Sequence, residues 1–192
     1  MNFFLNQKLI SITEIKKRNL NFHARYSVKE RIYEYIILNR IATASLDKNK
    51  VWHIRKKLDL EIMKKGAKKL LGTHDFSTFR ASNCYSKSPI RTIKKINIKR
   101  INKKVVIQFK SRSFLRNQVR SMVGCLKYLG EKKWSLKKFT EVFKSKKKNF
   151  MCTTGTFTWI IFRKSYLLTL LFFLRFKPNL LLIRQRLSDL TI

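Results

Sequence analysis

Two hydrophobic rhythms divide this chain. Between residues 31 and 38 the side chains alternate at a period of two: Tyr33 and Tyr35 share one face, and Ile32, Glu34 and Ile36 share the other. That is a strand pattern, and the following Ile37 and Leu38 make it one that is mostly buried. The same alternation returns over residues 93–100 and 104–110, where Val105, Ile107 and Phe109 line one face. The short link Ile101-Asn102-Lys103 predicts an antiparallel hairpin. Elsewhere the period is helical. Over residues 59–71, Ile62, Met63, Ala67, Leu70 and Leu71 form an apolar stripe, with Asp59 placed to cap the start and Gly72 to end it. A second helix is predicted over 113–129 from Leu115, Val119, Met122, Val123, Leu126 and Leu129, with Ser113 as cap and Gly130 as stop. A third, over 135–147, uses Leu136, Phe139, Val142 and Phe143. The order strand, helix, hairpin, helix, helix predicts an α+β fold: an antiparallel sheet with helices packed on one face. Residues 39–57 read as irregular, anchored by Trp52. The stretch from Gly72 to Arg80 reads as a turn in which Asp75 caps the next few residues instead of acting as a catalyst.

Charge changes the picture. Lys and Arg number 45 against 10 acidic residues, a formal net charge of +35. Self-repulsion on that scale is offset by a polyanion, so nucleic acid is the expected partner, ahead of an acidic membrane surface. Fifteen Phe and six Tyr supply core mass and stacking surface. On the predicted helix, Arg112, Arg116 and Arg120 fall four apart and would stack along one edge, where guanidinium groups suit phosphate or carboxylate. Cys84, Cys125 and Cys152, and His23, His53 and His74, have no metal-ligand spacing, so no metal is expected and the cysteines read as reduced thiols of a cytoplasmic protein. With five glycines there is no phosphate-cradling loop. No signal peptide is evident, and the apolar stretch 167–174 is too short to span a bilayer, so no membrane role is expected.

Four stretches, in this order and spacing, resemble the tRNA pseudouridine synthase A family. They are Phe22-His23-Ala24-Arg25-Tyr26-Ser27 leading into Arg31-Ile32-Tyr33-Glu34-Tyr35; Leu71-Gly72-Thr73-His74-Asp75-Phe76-Ser77-Thr78-Phe79-Arg80; Ser88-Pro89 before the hairpin; and Phe114-Leu115-Arg116-Asn117-Gln118-Val119-Arg120-Ser121-Met122-Val123-Gly124. The resemblance covers roughly residues 3–149 and corresponds to the second half of a family member. It implies a pseudouridine-synthase-like fold, homodimeric in the complete protein. The implied activity is isomerisation of uridine to pseudouridine in the anticodon arm of tRNA, without metal or organic cofactor. The target base is flipped out of its stack to be reached. By motif, Tyr33 matches the tyrosine that stacks on the target base. Arg120 matches the arginine that pairs with the nucleophilic aspartate. Arg25 lies in a matching substrate-binding stretch. Arg112 and Arg116 remain candidates for RNA phosphate contacts or for solvent.

Two departures qualify the resemblance. The family's nucleophile sits in an Arg-Thr-Asp-Ala-Gly type motif. The aspartates here, Asp47, Asp59, Asp75 and Asp189, all lack that context. The chain is therefore expected to be an inactive fragment without the catalytic half. The alternative is a basic RNA-binding module with no catalysis. After about residue 149 the likeness stops, where the family ends on Cys-x-Pro-Pro-Ala-Pro-x-x-Gly-Leu-Tyr. The residues present run Met151-Cys152-Thr153-Thr154-Gly155-Thr156-Phe157-Thr158-Trp159-Ile160-Ile161. Back-translated and read one nucleotide forward, they force the family's Cys and Gly and permit the residues around them. Residues 150–192 are accordingly expected to be a frame-shifted tail without a native fold, and residues 1–149 the C-terminal half of the family's catalytic fold.

Overall fold

The computed structural model describes residues 17–146 except 25, 46, 48 and 49, together with residues 5, 12 and 15 and the backbone of Ile160–Leu167. Its centre is β1 (Val28–Asn39), the strand carrying the Tyr33/Tyr35 alternation. Its neighbours are β2 (Trp52–Ile54), β3 (Gly72–Asp75), β4 (Ile90–Ile101), β5 (Lys104–Ser111) and β6 (Ile160–Leu167). They form a six-stranded sheet in the order β2-β1-β5-β4-β3, with β6 also paired to β1. All pairings are antiparallel except β1 with β2, which is parallel over Ile37–Asn39. Because β5 takes one edge of β1, β6 and β2 share the other, β6 beside Val28–Tyr35 and β2 beside Ile37–Asn39.

The hairpin forms as its alternation predicts. Ile101 pairs with Lys104 across a two-residue turn, and Asn102 takes the left-handed conformation (φ 52°) that asparagine tolerates. Neither β2 nor β3 is anticipated by periodicity, since three or four residues are too few to show a period. The 150–192 boundary falls almost wholly outside the described residues, and β6 is the one described stretch within it.

Helices α1 (Leu60–Lys68), α2 (Gln118–Gly130) and α3 (Leu136–Lys144) cover one face of the sheet. Tyr35, Ile37, Val105, Ile107 and Phe109 on that face share a single buried cluster with Met63, Leu126, Leu129 and Phe139 of the helices. The Asp59 carboxylate accepts from the amides of Glu61 and Ile62, and the Ser135 hydroxyl accepts from the Lys138 amide. The sheet end is fastened by Asn39, whose Nδ2 donates to the carbonyls of Ile54 and Lys56 while its Oδ1 accepts from the Leu58 amide.

Two glycines read differently in three dimensions. A Cβ on Gly66 would stand 2.3 Å from Leu129 Cδ1, so α1 lies directly on α2. A Cβ on Gly130 would stand 2.6 Å from Met63 Sδ, so Gly130 is a packing residue of the helix and not its stop. The stop is Lys132, in the left-handed region at φ 58°.

Asp75 ends β3 and closes the turn after it. Its Oδ1 accepts from the Ser77 amide at 2.9 Å and from the Ser77 hydroxyl at 2.6 Å, and Lys146 Nζ lies 3.3 Å from its other oxygen. The Ser77 hydroxyl is the main reason the carboxyl titrates below its ordinary value, with the Ser77 amide and Lys146 adding to it against a desolvation penalty. A depressed folded pKa means that the stabilisation is present above the unfolded value of about 3.9 and is lost as the pH falls through the folded value. Asp75→Ala is expected to cost about 1 kcal/mol at neutral pH, the size of a lost cap. It should also flatten the acid limb of stability below about pH 4. Urea midpoints measured from pH 7 to pH 3 check both.

Candidate active site

The sheet face under the helices carries the candidate site. Tyr33 and Tyr35 point the same way from β1. Tyr35 is fully buried, with its ring edge-on to Trp52 at 6.0 Å. Tyr33 is half-buried and meets Phe114 edge-to-face at 5.2 Å. Tyr33 therefore has an aromatic neighbour and is only partly covered.

Arg120 sits in the first turn of α2, half-buried, and its charge reaches Tyr35. Burial pushes the Tyr35 hydroxyl up to about 12, and Arg120 opposes that rise. Among the described residues the Nε of Arg120 is buried with no hydrogen-bond partner, as is that of Arg91. A buried guanidinium N–H without an acceptor costs stability. Tyr33 and Arg120 thus lie on one side of the sheet. Arg25 falls outside the described residues.

Arg112 and Arg116 depart from expectation. The helix begins at Gln118, not Ser113, so the three arginines do not stack along one edge. The cause is local. Asn117 takes φ 61°, the buried Gln118 Oε1 accepts from the Leu115 amide at 2.7 Å, and the Ser113 amide donates to Ser111 Oγ at 3.3 Å, which holds residues 111–117 in a turn. Arg112 is exposed, and its carbonyl accepts from Arg31 Nη1 at 2.6 Å. Arg116 is exposed, its guanidinium donates to the Asn83 carbonyl at 3.3 Å, and its own carbonyl accepts from the Ala81 amide.

That loop holds guanidinium groups not singled out from the sequence. Arg80 Nη2 donates to the carbonyls of Cys84 and Ser86, each at 2.6 Å. Arg91 donates to the Ser88 carbonyl at 2.9 Å and to Ser86 Oγ at 2.6 Å. Burial raises the Cys84 thiol, yet hydrogen bonds from Ser86, Arg116 and Arg80 outweigh it and leave the thiol below its ordinary value. Arg80 stands in one of the four motif stretches. Its neighbours there give no hint that it folds back onto residues 84–86.

Among the described residues, no three His, Cys, Asp or Glu side chains are grouped to hold a metal, and no helix is long and apolar enough to cross a membrane.

The tRNA pseudouridine synthase family profile matches residues 67–155. The tRNA pseudouridine synthase A of Pelagibacter ubique is 64% identical over 148 residues, which is 77% of this chain and 60% of that protein. The tRNA pseudouridine synthase A proteins of Rhodospirillum centenum and Gluconobacter oxydans are 44% and 41% identical, over 70% and 81% of this chain and 55% of each relative. The chain therefore spans little more than half the length of the curated relatives it matches.

Proposed function

Because residues 67–155 carry a segment of the tRNA pseudouridine synthase family, we propose that this chain provides the base-stacking and arginine-bearing part of a cytoplasmic enzyme that converts uridine to pseudouridine in the anticodon arm of tRNA. In this reading Tyr33 stacks on the flipped uracil. Arg120 pairs with the nucleophilic aspartate and keeps it ionised and oriented. Arg25 contributes to substrate binding, and Arg112 and Arg116 meet phosphate. The complete enzyme is a homodimer that works without metal or organic cofactor. The observation that carries the reading is the buried Nε of Arg120, which has no acceptor among the described residues. A carboxylate brought against it would satisfy that group and at the same time be held in its reactive form.

The test is a chimera. The leading part of the Pelagibacter ubique relative, followed by residues 3–149 of this chain, is expected to form pseudouridine in tRNA. A folded, dimeric chimera that leaves tRNA unmodified overturns the reading.

A second reading, a basic RNA-binding module without catalysis, is favoured by the engagement of the described aspartates. Asp47 is paired with Lys104 at 2.6 Å, Asp59 caps α1, and Asp75 is held by Ser77. An unmodified tRNA that still binds the chimera tightly selects this reading.

A further inference from the structure

The loop that leads from Arg80 to β4 carries one aromatic ring out into solvent. Tyr85 keeps 95% of its surface exposed. Its backbone is nonetheless fixed on both sides. Arg80 Nη2 donates to the carbonyls of Cys84 and Ser86, the two residues that flank it, each at 2.6 Å. The Cys84 amide donates to the Ala81 carbonyl at 3.2 Å. Arg91 Nη2 donates to Ser86 Oγ at 2.6 Å, and Arg91 Nη1 donates to the Ser88 carbonyl at 2.9 Å. The Cys84 thiol takes hydrogen bonds from Ser86 and Arg116. These bonds hold the backbone around Tyr85 in one shape while its ring stands in water.

The surroundings are cationic. Lys87 and Arg116 are exposed, and Arg116 Nη1 donates to the Asn83 carbonyl at 3.3 Å. Between Asp75 and Glu131 the chain has no acidic residue. Among the described residues, no carboxylate pairs with Arg80, Lys87, Arg91 or Arg116. A single exposed aromatic is ordinary on a protein surface. This one adds a fixed backbone and positive charge that no acid offsets. Those three features together suit an unpaired nucleotide, whose base stacks on the ring and whose phosphate meets Lys or Arg. A protein or lipid partner would need apolar area, and residues 82–88 offer no other large apolar side chain. The Ala81 amide donates to the Arg116 carbonyl at 3.1 Å, so the loop borders the turn that holds Phe114, the neighbour of Tyr33.

We propose that Tyr85, with Lys87 and Arg116 beside it, is a stacking platform for an unpaired base of RNA, distinct from the Tyr33/Arg120 site. This rests on the reading of the chain as RNA-binding, and the experiment separates the two. Affinity of the full chain is measured by fluorescence anisotropy for a labelled RNA hairpin with an unpaired loop and for a fully paired RNA duplex of the same length. Tyr85→Ser is expected to weaken hairpin binding by about tenfold, the size of one lost base stack, and to leave duplex binding unchanged. Tyr85→Phe keeps a ring and most of the affinity. Both variants alter a side chain in solvent, so their urea midpoints should match the parent's. Lys87→Ala should weaken both RNAs alike and reduce the salt slope by about one. Equal hairpin affinities for the parent and Tyr85→Ser overturn the platform, as does an equal loss on hairpin and duplex. Hairpin binding indifferent to Tyr85, alongside a chimera that modifies tRNA, removes the platform and leaves the proposed function. Hairpin binding that depends on Tyr85, alongside a chimera that leaves tRNA unmodified, does the reverse.

Discussion

Incubated with unmodified tRNA, the 192-residue chain alone is expected to form no pseudouridine, at least about 10⁴-fold below a complete enzyme, the scale on which catalysis falls when a nucleophile is removed. Breaking the bond between uracil and ribose in this reaction class needs a carboxylate held near the flipped base. Each described aspartate is committed elsewhere. Asp47 pairs with Lys104, Asp59 accepts through Oδ1 from the first turn of α1 while its Oδ2 faces Lys132, and Asp75 accepts two bonds from Ser77 with Lys146 beside it. The two shifts seen at these groups point the same way. Asp59 is lowered first by the Ile62 amide, and Asp75 first by the Ser77 hydroxyl. Both carboxylates are thereby held as anions by, and committed to, local structure. Digestion of the tRNA to nucleosides, and chromatography that separates the two isomers, gives the answer. Steady turnover would sink the expectation. Loss of that turnover in Asp75→Asn would then identify the carboxylate responsible.

The sequence shows clearly whatever depends on repetition. The Tyr33/Tyr35 alternation, the hairpin and the three apolar helix stripes each repeat often enough for a period to appear, and the structure buries Met63, Phe109, Leu126 and Phe139 in one cluster as those stripes require. It hides whatever depends on single contacts. Ser113 is a good cap in isolation, yet α2 starts five residues beyond it, at Gln118. Only the fold reveals that Gln118 reaches back to the Leu115 amide and that Asn117 adopts a left-handed backbone. That shift separates Arg120, fixed on the helix, from Arg112 and Arg116, which lie on the preceding turn. Gly130 likewise reads as a terminator, and its real constraint, the sulfur of Met63, comes from a helix more than sixty residues away in sequence. The same limit applies to the site. Motif resemblance points to Tyr33 and Arg120 one residue at a time. Only packing shows Phe114 against the tyrosine and, among the described residues, the guanidinium without an acceptor at Nε.

Arg120→Met is expected to move stability and activity in opposite directions. In the chain itself, methionine fills much the same length without a polar N–H. The buried Nε that lacks a partner is removed together with the cost of keeping a charge out of water. Removing one unsatisfied buried group should raise stability by about 1 kcal/mol. The urea midpoint should therefore rise with the slope unchanged. The Tyr35 hydroxyl should titrate still higher, because burial raises it and Arg120 is the group that opposes the rise. In the chimera the same substitution should lower turnover by about 10²–10³-fold, the range found when one pre-positioned charged or hydrogen-bonding group is taken from a reaction centre. Arg120→Lys separates charge from geometry. An ammonium keeps the positive charge but not the planar fork that grips a carboxylate through two parallel bonds, so activity should recover only in part. If Arg120→Met destabilises the chain and leaves the chimera active, the guanidinium is a structural prop. In that case neither its missing acceptor nor its place near Tyr35 marks a seat for a carboxylate.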